Sequence, residues 1–215
     1  MSWLLRTLRN FCRCNRKEMS MVGSEKARRE SKEKKFMQLV SPQKNDLGRT
    51  VVLDLDNTLV YSTFKKPRLY DFCLEVPGKK NLQIYVKVRP HAVEFISIVG
   101  AIYEVIIFTA AKKEYAEKVI GIIDANKRIA YSLYRDSCTL VNGKYVKDLC
   151  KLGKPLNEVI LVDDSPHSYE FQPHNGIHIP PYTGEKDDDS LLKIMKFLRE
   201  IHEDGMFGSI HQTPF

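Results

Sequence analysis

The sequence predicts an α/β domain of three layers, with helices packed on a mostly parallel sheet. Three observations predict it. Short apolar runs with the length of buried strands recur at residues 51–55, 104–109 and 158–162. Segments of helical periodicity lie between and after them. Strands that alternate with helices form parallel sheets covered on both faces. The length of 215 residues suits one domain with an appendage, and 43% apolar residues are enough for a core.

Taken in order, residues 1–44 read as a tail and linker. Leu4, Leu8 and Phe11 share one helical face, Arg6 and Arg9 lie elsewhere, and Cys12 and Cys14 follow. A basic amphipathic helix with neighbouring cysteines suits peripheral contact of residues 1–17 with a membrane and acylation of the thiols. The alternative is a disordered or partner-docking tail. Residues 24–35 alternate charges, as an exposed linker does. The domain is expected over residues 45–205, with 206–215 as a C-terminal tail. Residues 51–55 form the first buried strand. Residues 70–76 and 82–88 pair as a hairpin across Pro77-Gly78-Lys79-Lys80-Asn81. A helix over 90–99 leads to the second buried strand, 104–109. Residues 112–123 form a helix with Tyr115, Val119, Ile122 and Ile123 on one side. Residues 129–135 and 138–146 are expected to pair around Asn142-Gly143. The third apolar strand is 158–162, and Leu191, Ile194, Met195, Leu198 and Ile201 mark a closing amphipathic helix.

Charge narrows the function classes. Residues 1–36 hold 11 Lys+Arg and 4 Asp+Glu, which accounts for the whole net charge of +7, and the remainder is neutral. A main domain without a basic bias does not read as a nucleic-acid binder. No run approaches the roughly 20 apolar residues of a membrane span. Arg6 and Arg9 break the first apolar stretch, so no secretory signal is readable in it. Five cysteines without a CxxC pair fit reduced thiols inside a cell. His91, His167 and His174 lack ligand spacing and read as structural.

Each apolar strand ends in a polar group: Asp54 and Asp56, then Thr109, then Asp163 and Asp164. In a parallel sheet these ends converge on one edge, where function collects. Four carboxylates there repel unless a cation neutralises them, and carboxylate oxygens suit Mg²⁺. Lys147 is available to hold an anion. An aspartate can attack phosphorus to form an acyl phosphate, and a second acid two residues on can shuttle the proton.

At these residues the chain resembles a known family. Asp54-Leu55-Asp56-Asn57-Thr58-Leu59-Val60 is similar to the DxDxT(L/V) signature of haloacid-dehalogenase-superfamily phosphatases of the FCP/SCP type. Arg89-Pro90-His91, Phe108-Thr109-Ala110, Leu133-Tyr134-Arg135, Tyr145-Val146-Lys147-Asp148-Leu149 and Val162-Asp163-Asp164-Ser165-Pro166 match that family in order. The closest likeness is to small C-terminal-domain phosphatases and Dullard-like nuclear envelope phosphatases. The resemblance implies a haloacid-dehalogenase-like Rossmannoid domain with a small β-hairpin insert. It implies Asp54 as nucleophile and Asp56 as general acid/base. Mg²⁺ would be held by Asp163, the Asp54 carboxylate, the Asp56 backbone carbonyl and, through water, Asp164. Thr109, Lys147, Arg135 and Asn57 would meet substrate phosphate, and Phe64, Val76, Ile84 and Tyr115 align loosely with a hydrophobic pocket for a substrate proline. Asn57 replaces a common glutamate and Asp164 a common asparagine. A nuclear or nuclear-envelope location follows from the same resemblance, with cytoplasmic or membrane association as the alternative.

About 50 residues separate Asp56 from Thr109 and about 20 separate the second helix from Lys147. Neither gap holds a cap domain of on the order of 50 residues beyond the core. An uncapped site accepts a phosphate on a large surface. The expected substrate is therefore a phosphoserine or phosphothreonine protein, by resemblance in a Ser-Pro context such as the RNA polymerase II tail. A small-molecule phosphatase of the same superfamily is the runner-up. A non-catalytic scaffold like the mitochondrial import receptor subunit, which lacks the paired aspartates, is the reading from another class.

Overall fold

The computed structural model describes residues 48–203, except 77 and 80, and residue 207. The membrane-contact segment 1–17, Cys12 and Cys14, and the proposed domain start at residue 45 lie outside the described residues. No helix among those described is long and apolar enough to cross a membrane.

Strand β1 (Thr50–Leu53) is buried at every position. It pairs in parallel with β5 (Glu104–Phe108) on one side and β9 (Val159–Asp163) on the other. Strand β6 (Ile129–Leu133) extends the sheet beyond β5, and β10 (Gly176–His178) extends it beyond β9. The order is β10-β9-β1-β5-β6, all parallel. Burial on both faces explains why β1, β5 and β9 are unbroken apolar runs rather than alternating ones.

Helices α1 (Ala92–Ile102), α2 (Lys113–Ile123) and α3 (Ser190–Glu203) contribute to one core cluster with Val51, Leu53, Val105, Ile107, Ile160 and Val162. Val52, Phe108 and Leu161 face a smaller cluster with Leu149 and Tyr169. Those two partners lie on short 3₁₀ turns, Leu149–Leu152 and Pro166–Tyr169. Short 3₁₀ turns rather than α-helices therefore cover this face of the sheet.

The insert between β1 and α1 is a three-stranded antiparallel sheet in the order β2-β4-β3, with β2 (Val60–Thr63), β3 (Phe72–Glu75) and β4 (Gln83–Val88). The β3–β4 hairpin is as expected, and β2 and β10 are additions. One expectation is corrected. Residues 129–135 do not pair with 138–146, because β6 belongs to the central sheet. The hairpin around Asn142-Gly143 is self-contained, with β7 (Thr139–Val141) on β8 (Lys144–Val146). Asn142 and Gly143 both take positive φ, 49° and 79°, as a two-residue type I′ turn requires.

Arg89 ties the insert to the core. It is fully buried, and its guanidinium donates to both Asp188 oxygens at 2.8 Å, to the Thr58 carbonyl at 3.1 Å and to the Pro180 carbonyl at 2.9 Å. Although burial opposes it, this pairing holds the Asp188 carboxyl below its usual range.

Candidate active site

Register decides which side chains meet. Leu53 lies level with Ile107 and with Val162, so Asp54, one residue on, lies level with Phe108 and Asp163. The strand pairing continues past β1, with Asp54 N–H donating to the Val162 carbonyl at 3.0 Å. On the other side Thr109 N–H donates to Leu133 at 2.9 Å. The carboxyl ends of β1, β5 and β9 thus open into one cleft of about 340 Å³, which Arg135, Lys147 and Asn57 also line.

Lys147 follows β8, fully buried, and its ammonium donates to Asp54 Oδ1 and Asp163 Oδ2 at 2.5 Å each. Burial disfavours that ammonium, but the two carboxylates outweigh it and the lysine pKa moves up. Burial pushes Asp54 from 3.8 up to about 7, with Lys147 opposing the rise and Asp163 and Asp56 adding to it. The lysine keeps its proton, so the ionisation of Asp54 depends on how much positive charge stands beside it.

Carboxylate oxygens of Asp54, Asp163 and Asp164 lie within 4.8 Å of one another. Asp163 is buried, and its Oδ1 accepts from Ser165 N–H at 2.8 Å, which fixes its orientation. Asp164 is half-buried, and its carboxyl is raised by burial and then by Asp163. With Asp56, four carboxylates face two cations, Lys147 and Arg135. The all-oxygen donor set of Asp54, Asp163 and Asp164 fits a hard divalent cation such as Mg²⁺.

Asp56 is placed differently. Its Oδ1 accepts from Tyr115 Oη at 2.7 Å and from Ser62 Oγ at 3.0 Å. Its carboxyl is raised by burial, against those two hydrogen bonds. The carboxylate is not part of the Asp54–Asp163–Asp164 group, so any metal contact from Asp56 falls to its backbone carbonyl. Burial and the Asp56 charge push the Tyr115 hydroxyl far up, so it is a donor at every working pH. Ser62 had no signal in the sequence. Tyr115 had two, an inward position on its helix and the alignment with a hydrophobic pocket, and neither pointed to Asp56.

Thr109 is buried, and its Oγ1 accepts from Ala111 N–H at 3.0 Å, which leaves the hydroxyl proton for an anion. Arg135 donates from Nε to the Ala110 carbonyl at 2.6 Å and lies 5.2 Å from the centroid of the Tyr145 ring. Asn57 has φ 60°, a left-handed conformation that asparagine tolerates, and turns the chain between Asp56 and β2. Of the four residues aligned with a hydrophobic pocket, Ile84 and Tyr115 pack against the main core, Val76 is half-buried and Phe64 is 62% exposed. None of the four lines the cleft.

A family model described as NLI interacting factor-like phosphatase matches residues 49–207. The chain belongs to this family. A probable C-terminal domain small phosphatase of Dictyostelium discoideum is 40% identical over 154 residues, 71% of this chain and 50% of that protein. A CTD small phosphatase-like protein of Homo sapiens is 38% identical over 171 residues, 78% of this chain and 62% of that protein. The chain thus spans only about half the length of such relatives. In structure it resembles the fission yeast RNA polymerase II CTD phosphatase Fcp1 bound to beryllium fluoride, at a TM-score of 0.60 and 19% identity, covering 84% of this chain and 66% of that one. That likeness shows the fold, which is haloacid-dehalogenase-like.

Proposed function

We propose that the chain is a Mg²⁺-dependent phosphoserine/phosphothreonine protein phosphatase that works through an aspartyl phosphate on Asp54. The observation that carries the reading is the placement of Asp54, held by Lys147 at 2.5 Å beside Asp163 and Asp164, at the floor of an open cleft.

Asp54 attacks phosphorus, and the bond to the substrate oxygen breaks. Asp56 gives its proton to that leaving oxygen and becomes a carboxylate, stabilised by Tyr115 and Ser62. A water then attacks the acyl phosphate, Asp56 takes a proton from it, and phosphate leaves with Asp54 restored. Lys147, Thr109 and Arg135 hold the phosphoryl oxygens in place. Mg²⁺, when bound by Asp54, Asp163, the Asp56 carbonyl and Asp164, supplies further neutralisation of those oxygens.

Protein substrates are favoured because no lid covers the cleft among the described residues. Between Asp56 and Thr109 the described residues form the insert sheet, α1 and β5, and between α2 and Lys147 they form β6, a 3₁₀ turn (Arg135–Ser137) and the β7–β8 hairpin. The relatives named for the RNA polymerase II C-terminal domain make a Ser-Pro phosphopeptide the first substrate to try. The test is Mg²⁺-dependent turnover of a phosphopeptide panel beside sugar phosphates. Asp54→Asn should abolish turnover. Unchanged activity in that variant would sink the mechanism, and preferential turnover of sugars would sink the substrate class.

A further inference from the structure

The insert sheet keeps different company on its two faces. Ser62 turns toward Asp56, whereas its neighbours Tyr61 and Thr63 point the opposite way, as alternation in a strand requires. On that outer face Tyr61 lies opposite Lys87, and Thr63 opposite Tyr85. With Arg68 and Leu69 these four line a second cleft of about 200 Å³. The cleft is built. The Tyr70 ring packs edge-on against Tyr85 with centroids 5.0 Å apart, and the Lys87 ammonium donates to the Gly184 carbonyl. Gly184 takes φ 111°, a backbone conformation that favours glycine, and places its backbone beside Tyr61 and Lys87.

The neutrality of the region after residue 36 hides a separation of charge. Residues 60–88 carry 6 Lys+Arg and 2 Asp+Glu, a net of +4. The rest of 37–215 carries 17 and 21, a net of −4. Lys65, Lys66 and Arg68 are exposed, and the ion pairs of the described residues lie elsewhere. Asp71, one of the two acids, already accepts from Val88 N–H. Phe64 and Leu69, beside these cations, are 62% and 53% exposed.

We propose that this face docks an acidic segment of the phosphoprotein substrate, extended from the tip of β2 across the cationic cleft. The inference rests on the phosphoprotein-phosphatase reading above and adds what lies next to the target phosphate. Two features fit it. Phe64 lies just past the end of β2, two residues on from the Ser62 that touches Asp56, so a peptide leaving the catalytic cleft round that edge reaches this face within a few residues. Unpaired cations interleaved with tyrosine and leucine offer an acidic chain both charge complementarity and apolar area. An anionic membrane surface shares the charge preference and is the rival for the same face.

The test uses the full chain and three phosphopeptides sharing one phosphoserine core, flanked by Glu, Ala or Lys. Wild type is compared with Lys65→Glu/Lys66→Glu/Arg68→Glu, and a chromogenic aryl phosphate reports the chemistry alone. The expected result is a kcat/KM about tenfold higher for the Glu flank than for Ala at low salt, carried by KM. Raising ionic strength to about 0.5 M should erase the difference. The variant should lose or reverse it with aryl phosphate turnover unchanged. Turnover of all three peptides at equal rates by wild type would overturn the inference while the phosphatase reading stands. A Glu preference surviving in the variant would overturn the location. Variant-sensitive binding to phosphatidylserine vesicles without any flank preference would give the face to a membrane. Hydrolysis of the aryl phosphate with no phosphopeptide turned over would overturn both readings.

Discussion

Removing the Tyr115 hydroxyl probes the proposed acid without touching the metal group or the nucleophile. The Tyr115 Oη to Asp56 Oδ1 bond is 2.7 Å, short and charge-assisted when Asp56 is ionised. A hydrogen bond to a charged group contributes about 1.5–3 kcal/mol. Ser62 remains on the same oxygen at 3.0 Å, so the low end applies. At about 1.4 kcal/mol per unit, Tyr115→Phe should raise the Asp56 pKa by about one unit. Asp56 must be protonated to release the leaving group, so its pKa sets the alkaline limb of kcat/KM. That limb should move up by about one unit. A proton held more tightly is also a poorer donor, so the plateau should fall roughly three- to tenfold. The ring stays in place against the core, so fold is retained. Ser62→Ala should shift the limb the same way, and the double variant should exceed the sum, since Oδ1 then loses both donors. The measurement is a pH–rate profile on an aryl phosphate. An unmoved limb with a plateau within twofold of wild type would refute the assignment of Asp56 as the acid that Tyr115 tunes.

Other consequences of the geometry are as direct. With Asp54 raised to about 7, protonation favours the metal-free fold as pH falls, and Mg²⁺ has to compete with that proton. Its affinity should drop about tenfold per unit below pH 7, so the gain in Tm on adding Mg²⁺ should be large at pH 7.5 and nearly absent at pH 5.5; an equal gain at both would exclude Asp54 as a ligand. Lys147→Met leaves Asp54 and Asp163 buried without their ammonium, which should cost roughly 3–5 kcal/mol of stability and two to three orders of magnitude in kcat. Mg²⁺ should restore part of the Tm and little of the rate. Arg89→Ala strands Asp188 and should cost roughly 3–5 kcal/mol, a Tm drop of about 10 °C at 2–4 °C per kcal/mol. A drop under about 3 °C would show that the Arg89 network does not hold the insert.

How much of this was legible in the sequence depends on whether a feature is written along the chain or across it. Strands β1, β5 and β9 are buried on both faces, so they appear as apolar runs, and the polar residue that ends each run marks the site. Strand β6 lies at the sheet edge with two exposed positions, and its mixed pattern allowed a false pairing with the hairpin downstream. Strands β2 and β10, of four and three residues, are too short to show a period. Arg89 was legible as part of Arg-Pro-His, but its burial was not, since nothing local announces an acid 99 residues away. Ser62 and Tyr115 illustrate the same limit within the site. They meet on one oxygen of Asp56, from positions 6 and 59 residues away, and only the folded register brings them there.

The charge pattern completes that distinction, because here the sequence held the information and the average concealed it. A neutral total over 37–215 argues against nucleic acid binding by the domain as a whole. It says nothing about a segment of +4 set against a remainder of −4. Once the fold gathers that segment into one sheet next to the catalytic cleft, the separation acquires a direction. The buried carboxylates call for a cation at the point of chemistry, and the exposed lysines and arginine call for an anion beside it. A divalent cation meets the first demand, a substrate carrying its phosphate next to an acidic stretch meets the second, and the flank dependence of KM is where that second one becomes measurable.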